Sequence, residues 1–131
     1  MTYSPEKIEN DEGVTRFAFE KGYFRSSDNS VKPKAFEPSA NGEVSVARID
    51  GLQEQGVWEL GDEAGQMRPH PKAAIARLDF VASAVAGCAL QLKIDEPPVR
   101  HALIVGWPDQ EELRIQKAQE LARIATLRKR N

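Results

Sequence analysis

One cysteine, two histidines and no long apolar run are the chain's shortages, and each removes a class of function. A lone thiol, Cys88, forms no internal disulfide, which excludes a cystine-stapled miniprotein. Beside Gly87, Ala89 and Leu90 it reads as a small core residue. One Cys and two His are too few for a closed zinc site, so no metal is expected. The longest nearly apolar stretch, residues 80–92, is Ala-rich and too short to span a bilayer, so no membrane is expected. Phosphate-loop, GxGxxG, His-Glu-x-x-His and Gly-x-Ser-x-Gly patterns are absent, and no cofactor is expected. A charge surplus is missing too. Eighteen Lys and Arg face twenty Asp and Glu for a net −2, without the basic excess of a dedicated nucleic-acid binder.

What remains is an ordinary globular composition: 131 residues, 40% hydrophobic and 29% charged, enough for one domain. The N-terminus lacks a basic stretch leading into an apolar one, and with the single thiol this points to the cytoplasm. Charge is uneven along the chain. Residues 1–13 are acidic and aperiodic and read as a loose arm, and 14–127 read as the domain. Residues 128–131, with Arg128, Lys129 and Arg130, read as a solvated basic tail after a helix C-terminus.

Periodicity gives the elements. Val14 to Glu20 alternates, with Phe17 and Phe19 on one side and Arg16 and Ala18 on the other, predicting a strand with one buried face. Residues 25–42 are rich in Ser, Asn, Asp and Pro and read as a loop, in which Phe36 anchors an extended segment. Val44, Val46 and Arg48 share a face of a short strand, or of a strand end running into a helix. A helix follows from Asp50 as N-cap, with Leu52, Val57, Leu60 and Ala64 on its apolar face. Its Gly56 and Gly61 each cost about 1 kcal/mol relative to Ala.

The spacing of Ile75, Leu78, Ala82 and Val85 predicts a further helix from Pro71 to Gly87. Leu90, Leu92 and Ile94, then residues 101–107, predict two antiparallel strands around Pro97-Pro98. Asp109 opens a last amphipathic helix carrying Leu113, Ala118, Leu121 and Ala122 and ending near Leu127. Strands and helices do not alternate regularly. The expected fold is therefore a small single α+β domain, a mostly antiparallel sheet packed by about three helices.

Few residues point to chemistry. His101 opens a strand just after a loop, where an imidazole suits acid–base work, or simply holds the strand entry through one hydrogen bond. Arg16, Arg48 and Arg100 are candidate anion ligands if they converge, and Ser45 is a further candidate, although no His and Asp partners for it are visible. Trp107, between Gly106 and Pro108, reads as core or as a contact anchor. Arg128, Lys129 and Arg130 complete the candidate partner contacts.

Four motifs occur in a fixed order: Lys32-Pro33-Lys34-Ala35-Phe36-Glu37-Pro38, Ser45-Val46-Ala47-Arg48, Trp58-Glu59-Leu60-Gly61, and Arg100-His101-Ala102-Leu103-Ile104-Val105-Gly106-Trp107-Pro108. This order resembles a family of small uncharacterised bacterial proteins across residues 16–127. The resemblance implies a bacterial cytoplasmic single-domain protein and supplies no catalytic residue. Small size and missing catalytic signatures lead to the expectation of a non-catalytic binding or accessory protein acting with a protein partner. The alternative is a small enzyme or ligand-binding domain for a phosphate-bearing substrate, such as a nucleotide or RNA end, using His101 with the arginines. A second alternative is a non-catalytic nucleic-acid binder.

Overall fold

The computed structural model describes residues 3–131. Its strands are β1 (Gly13–Ala18), β2 (Phe24–Arg25), β3 (Ser30–Val31), β4 (Val44–Arg48), β5 (Ala76–Val81), β6 (Gln91–Ile94), β7 (His101–Val105) and β8 (Thr126–Lys129). The helices are α1 (Glu54–Gln66), α2 (Ala82–Gly87) and α3 (Glu111–Ile124). Six strands pair antiparallel in the order β6-β7-β4-β1-β5-β8, while β2 and β3 form a separate two-stranded ribbon. This is the small α+β domain expected, with three α-helices around a mostly antiparallel sheet.

Both faces of the sheet are covered. On one, Val14, Val44, Val46, Leu78, Phe80 and Ile104 pack with Phe36 and with Ala118, Leu121 and Ala122 of α3. Phe36 is fully buried, its ring edge-on to Phe80 at 5.7 Å, and so anchors the 25–42 segment, although Pro33–Phe36 form a 3-10 helix and not the extended stretch expected. On the other face, Phe17 and Ala47 pack with Val57 of α1 and with Ala74. Each large apolar side chain so buried stabilises the fold by about 1.5–3 kcal/mol. The expectation of one buried face for the first strand therefore needs correcting. Val14 and Ala18 on one side and Phe17 on the other are all buried, because β1 is central and helices cover the sheet twice.

Three further expectations change. The 71–87 segment is not a helix: β5 occupies Ala76–Val81, and only Ala82–Gly87 is helical. Between β1 and β8 this strand does alternate, Ala76, Leu78 and Phe80 with Arg77 and Asp79, but the helical spacing of Ile75, Leu78, Ala82 and Val85 runs across the strand and into α2 and masks that two-residue period. Arg77 faces α1, donating to Glu54 Oε2 at 2.9 Å, with Asp79 3.3 Å away. The C-terminal residues are not a free tail. α3 ends at Ile124, Ala125 turns extended, and β8 pairs with β5 from Thr126 to Lys129. Nor are residues 4–12 loose, since the buried side chain of Arg48 holds them.

The glycines of α1 reflect close approach to the sheet. A Cβ on Gly61 would lie 2.7 Å from the Phe17 ring, and one on Gly65 only 1.8 Å from the carbonyl oxygen of Lys72. The helix accepts its propensity penalty because any side chain at these two positions would lift it from its seat.

Candidate functional site

The register of the central strands makes an opening. β1 and β4 pair at Val14 with Arg48 and at Thr15 with Ala47, and then part. Arg16 bridges the parting: Nε donates to Ala35 O at 3.0 Å, Nη1 to Ser45 O at 2.8 Å and Nη2 to the Tyr23 hydroxyl at 3.3 Å. Above it lies a cleft of about 430 Å³. Its sheet wall includes Phe17, Phe19, Ser45, Ala47 and His101. Leu60, Ala64 and Arg68, four residues apart, face it from α1 and the turn beyond, joined by Glu63 and Met67. Pro98 and Val99 close the third side from the loop between β6 and β7. Met67 and Val99 stand 72% and 65% exposed, so the rim is apolar as well as the walls.

Charge at this site is predominantly positive. The acceptors of Arg16 are all neutral, and it has no carboxylate partner among the described residues. Burial holds its guanidinium below the usual arginine value; Tyr23 opposes that shift and the like charge of Arg68 adds to it. Arg68 stacks over Phe19, 4.7 Å from the ring centroid, and likewise has no ion pair among the described residues. Glu63 is the only acidic side chain on the lining. His101 Nδ1 lies 2.9 Å from Asp95 Oδ2 and 3.1 Å from Asp95 O.

Of the residues singled out from sequence, Arg16, Ser45 and His101 share this cleft. Arg48 and Arg100 do not. Arg48 points into the N-terminal segment, where Nε meets Glu12 Oε2 at 2.5 Å and Nη2 donates to the carbonyls of Ser4 and Lys7 at 2.6 and 2.7 Å. Its hydrogen bond to the Glu12 carboxylate is the main reason the Arg48 guanidinium sits above the usual arginine value. Arg100, in the left-handed region at φ 70°, donates to Arg48 O and Asp50 O at 3.1 and 2.7 Å. Tyr3 packs against both guanidiniums, 4.6 and 4.1 Å from its ring centroid.

The candidate contact residues are also engaged. Trp107 packs against the main core and its indole N–H donates to Ile104 O at 3.0 Å. Arg128 pairs with Asp79 at 2.9 Å and Arg130 with Asp62 at 2.7 Å. Arg77 and Arg130 stack on Trp58, 5.3 and 5.2 Å from its ring. Lys129 alone of the three basic residues has no ion pair among the described residues.

Two residues of the site escaped the sequence reading. Asp95 falls opposite His101 once the hairpin is folded about Pro97-Pro98, and Arg68 continues the Leu60–Ala64 spacing by one more turn. Among the described residues no three His, Cys, Asp or Glu side chains converge as metal ligands, and no helix is long and apolar enough to cross a membrane. No family model matches the chain, and no curated protein or solved structure matches it.

Proposed function

We propose that this protein binds a small amphipathic anion in the cleft between α1 and the parted strands. The ligand's carboxylate or phosphate head faces Arg16 and Arg68, and its apolar body lies along Phe17, Leu60 and Met67. The single observation that carries this reading is the charge of Arg16, sunk beside the cleft with only neutral acceptors around it. A partly buried cation lacking a counter-ion favours an anionic guest, because the guest supplies the missing charge in a low-dielectric site. Mostly apolar walls with a few convergent polar groups are the usual form of a small-molecule site.

Action through a protein partner draws less support. Its expected contacts, Trp107, Arg128 and Arg130, spend their polar groups inside the domain. A net charge of −2 gives no support to a nucleic-acid surface.

Calorimetry and thermal melting of the full chain with octanoate, octyl phosphate, octanol and octylamine test the proposal. Both anions are expected to bind and raise the melting temperature, and the stronger of the two identifies the head group. Octanol and octylamine are expected to bind at least tenfold more weakly, which corresponds to about 1.4 kcal/mol. Equal binding of octanol and octanoate, or no binding by either anion, overturns it.

A further inference from the structure

Resting on that ligand reading, three residues of the sheet wall support a reaction as well as binding. Both neighbours of His101 Nδ1, the carboxylate and the carbonyl oxygen of Asp95, are acceptors, so Nδ1 carries the proton. In the neutral ring that leaves Nε2 as a lone-pair base, and it has no hydrogen-bond partner among the described residues. Asp95 is itself held by its backbone, whose N–H donates to His101 O at 3.0 Å.

Ser45 stands beside this pair. It lies opposite Leu103 in the β4–β7 ladder while Ala47 lies opposite His101, so Ser45 and His101 are diagonal neighbours on one sheet face. Such neighbours are about 7–8 Å apart, a distance that a serine and a histidine side chain bridge with one hydrogen bond. The Ser45 hydroxyl is exposed on the cleft wall and has no hydrogen-bond partner among the described residues. Nucleophile and base thus stand on one wall, with the orienting carboxylate behind the base at Nδ1, and Arg16 and Arg68 supply positive charge nearby.

We propose that Ser45, His101 and Asp95 hydrolyse acyl esters whose acyl chain lies along the apolar wall of the cleft. Ser45 Oγ attacks the acyl carbon and its proton passes to His101 Nε2. The ester C–O bond breaks, and the leaving alcohol takes that proton. Water then attacks the acyl-serine, gives a proton to Nε2, and the Ser45–acyl bond breaks. Ser45 recovers the proton from Nε2, and the carboxylic acid gives its own proton to solvent water and leaves as a carboxylate, an amphipathic anion of the kind the cleft is proposed to hold. Asp95 is a positioning residue, fixing the tautomer and stabilising the imidazolium.

The test is turnover of 4-nitrophenyl octanoate and 4-nitrophenyl acetate by the full chain, with a fluorophosphonate label located by mass spectrometry. Octanoyl ester is expected to be favoured over acetyl ester, with the label on Ser45. Ser45→Ala and His101→Gln should each lower kcat by about 10³-fold, and Asp95→Asn should lower kcat while leaving KM nearly unchanged. Ser45 is exposed, so its variant should fold normally, which circular dichroism checks. Absence of turnover by the wild type, full turnover by Ser45→Ala, or labelling elsewhere overturns the relay. Octanoate binding to the wild type, measured alongside, separates the two readings: binding without turnover overturns the relay alone.

Discussion

Arg48 and Arg16 are diagonal neighbours on one face of adjacent strands, Arg48 opposite Val14 and Arg16 two residues beyond it, yet their surroundings differ in kind. Arg48 and Glu12 are 0% and 2% exposed and form a buried ion pair, with backbone carbonyls taking further donors. Arg16 meets two carbonyls and a phenol. Their guanidiniums are shifted in opposite directions, Arg48 upward chiefly through the Glu12 hydrogen bond and Arg16 downward chiefly through burial. An arginine with its own carboxylate is a fastener. One without it, at the edge of a cleft, leaves charge for a guest to satisfy.

The comparison is broken most forcefully at the fastener. Glu12→Ala leaves the Arg48 charge buried and unpaired, and should destabilise the fold by about 3–5 kcal/mol in urea denaturation. Where the variant remains folded, octanoate affinity should stay close to wild type, since neither residue lines the cleft. A loss below about 1 kcal/mol would mean that the carbonyls of Ser4, Pro5 and Lys7 suffice to hold Arg48.

Next in size is the seat of α1. Gly65→Ala drives a methyl group to within 1.8 Å of the Lys72 carbonyl, a backbone atom that has to move. The expected cost is about 1–3 kcal/mol, with weaker octanoate binding because α1 carries Leu60 and Ala64, and the turn at its end Met67, into the cleft. Unchanged melting and unchanged affinity would show that the 72–74 segment yields freely.

These two variants mark what was legible in the sequence. Phe36 as anchor and Val44, Val46 and Arg48 on one face follow from local pattern, and all are seen. Gly61 reads as helix weakness, and nothing local marks Gly65, because the neighbours that require them, the Phe17 ring and the Lys72 carbonyl, lie outside the helix. β5 reads as helix because Ile75, Leu78, Ala82 and Val85 keep a helical spacing across the strand and the start of α2 that masks the alternation of Ala76, Leu78 and Phe80 with Arg77 and Asp79, and β8 reads as tail because its stability comes from pairing with β5. The cleft was half visible: Arg16, Ser45 and His101 were singled out, but their convergence depends on two strands parting after a two-residue pairing. Arg48 and Arg100 look the same as Arg16 in sequence, since the charge that claims Arg48 lies 36 residues away.

Arg68→Gln addresses the cleft without touching the fastener. Its guanidinium is exposed, stacked on Phe19 and unpaired among the described residues, so stability should change by less than about 0.5 kcal/mol. Octanoate affinity should fall about tenfold, with octanol unaffected, in the calorimetric assay. A fall for both ligands alike would assign Arg68 to shaping the apolar wall, and Arg16 would then be the only cation serving the anion.

The smallest effect belongs to a third arginine environment, paired like Arg48 but open to solvent. Arg130 Nη1 and Nη2 reach the Asp62 carboxylate at 2.7 and 2.9 Å, with side chains 32% and 37% exposed. The Arg130 hydrogen bond holds the Asp62 carboxyl below its usual 3.8, with burial opposing and the Ala74 N–H assisting. A folded value below the unfolded one means that protons favour the unfolded chain. The pair's contribution is therefore complete above the ordinary carboxylate range and fades as pH falls through the depressed value. Solvent screening limits it to about 1 kcal/mol or less. Asp62→Asn should accordingly lie slightly below wild type in urea midpoint at neutral pH, with the gap closing below about pH 3. If the gap persists in acid, the loss comes from the Ala74 N–H contact or the Trp58 stacking rather than from charge, and solvent exposure then leaves the pair no measurable electrostatic worth beside the buried one at Arg48.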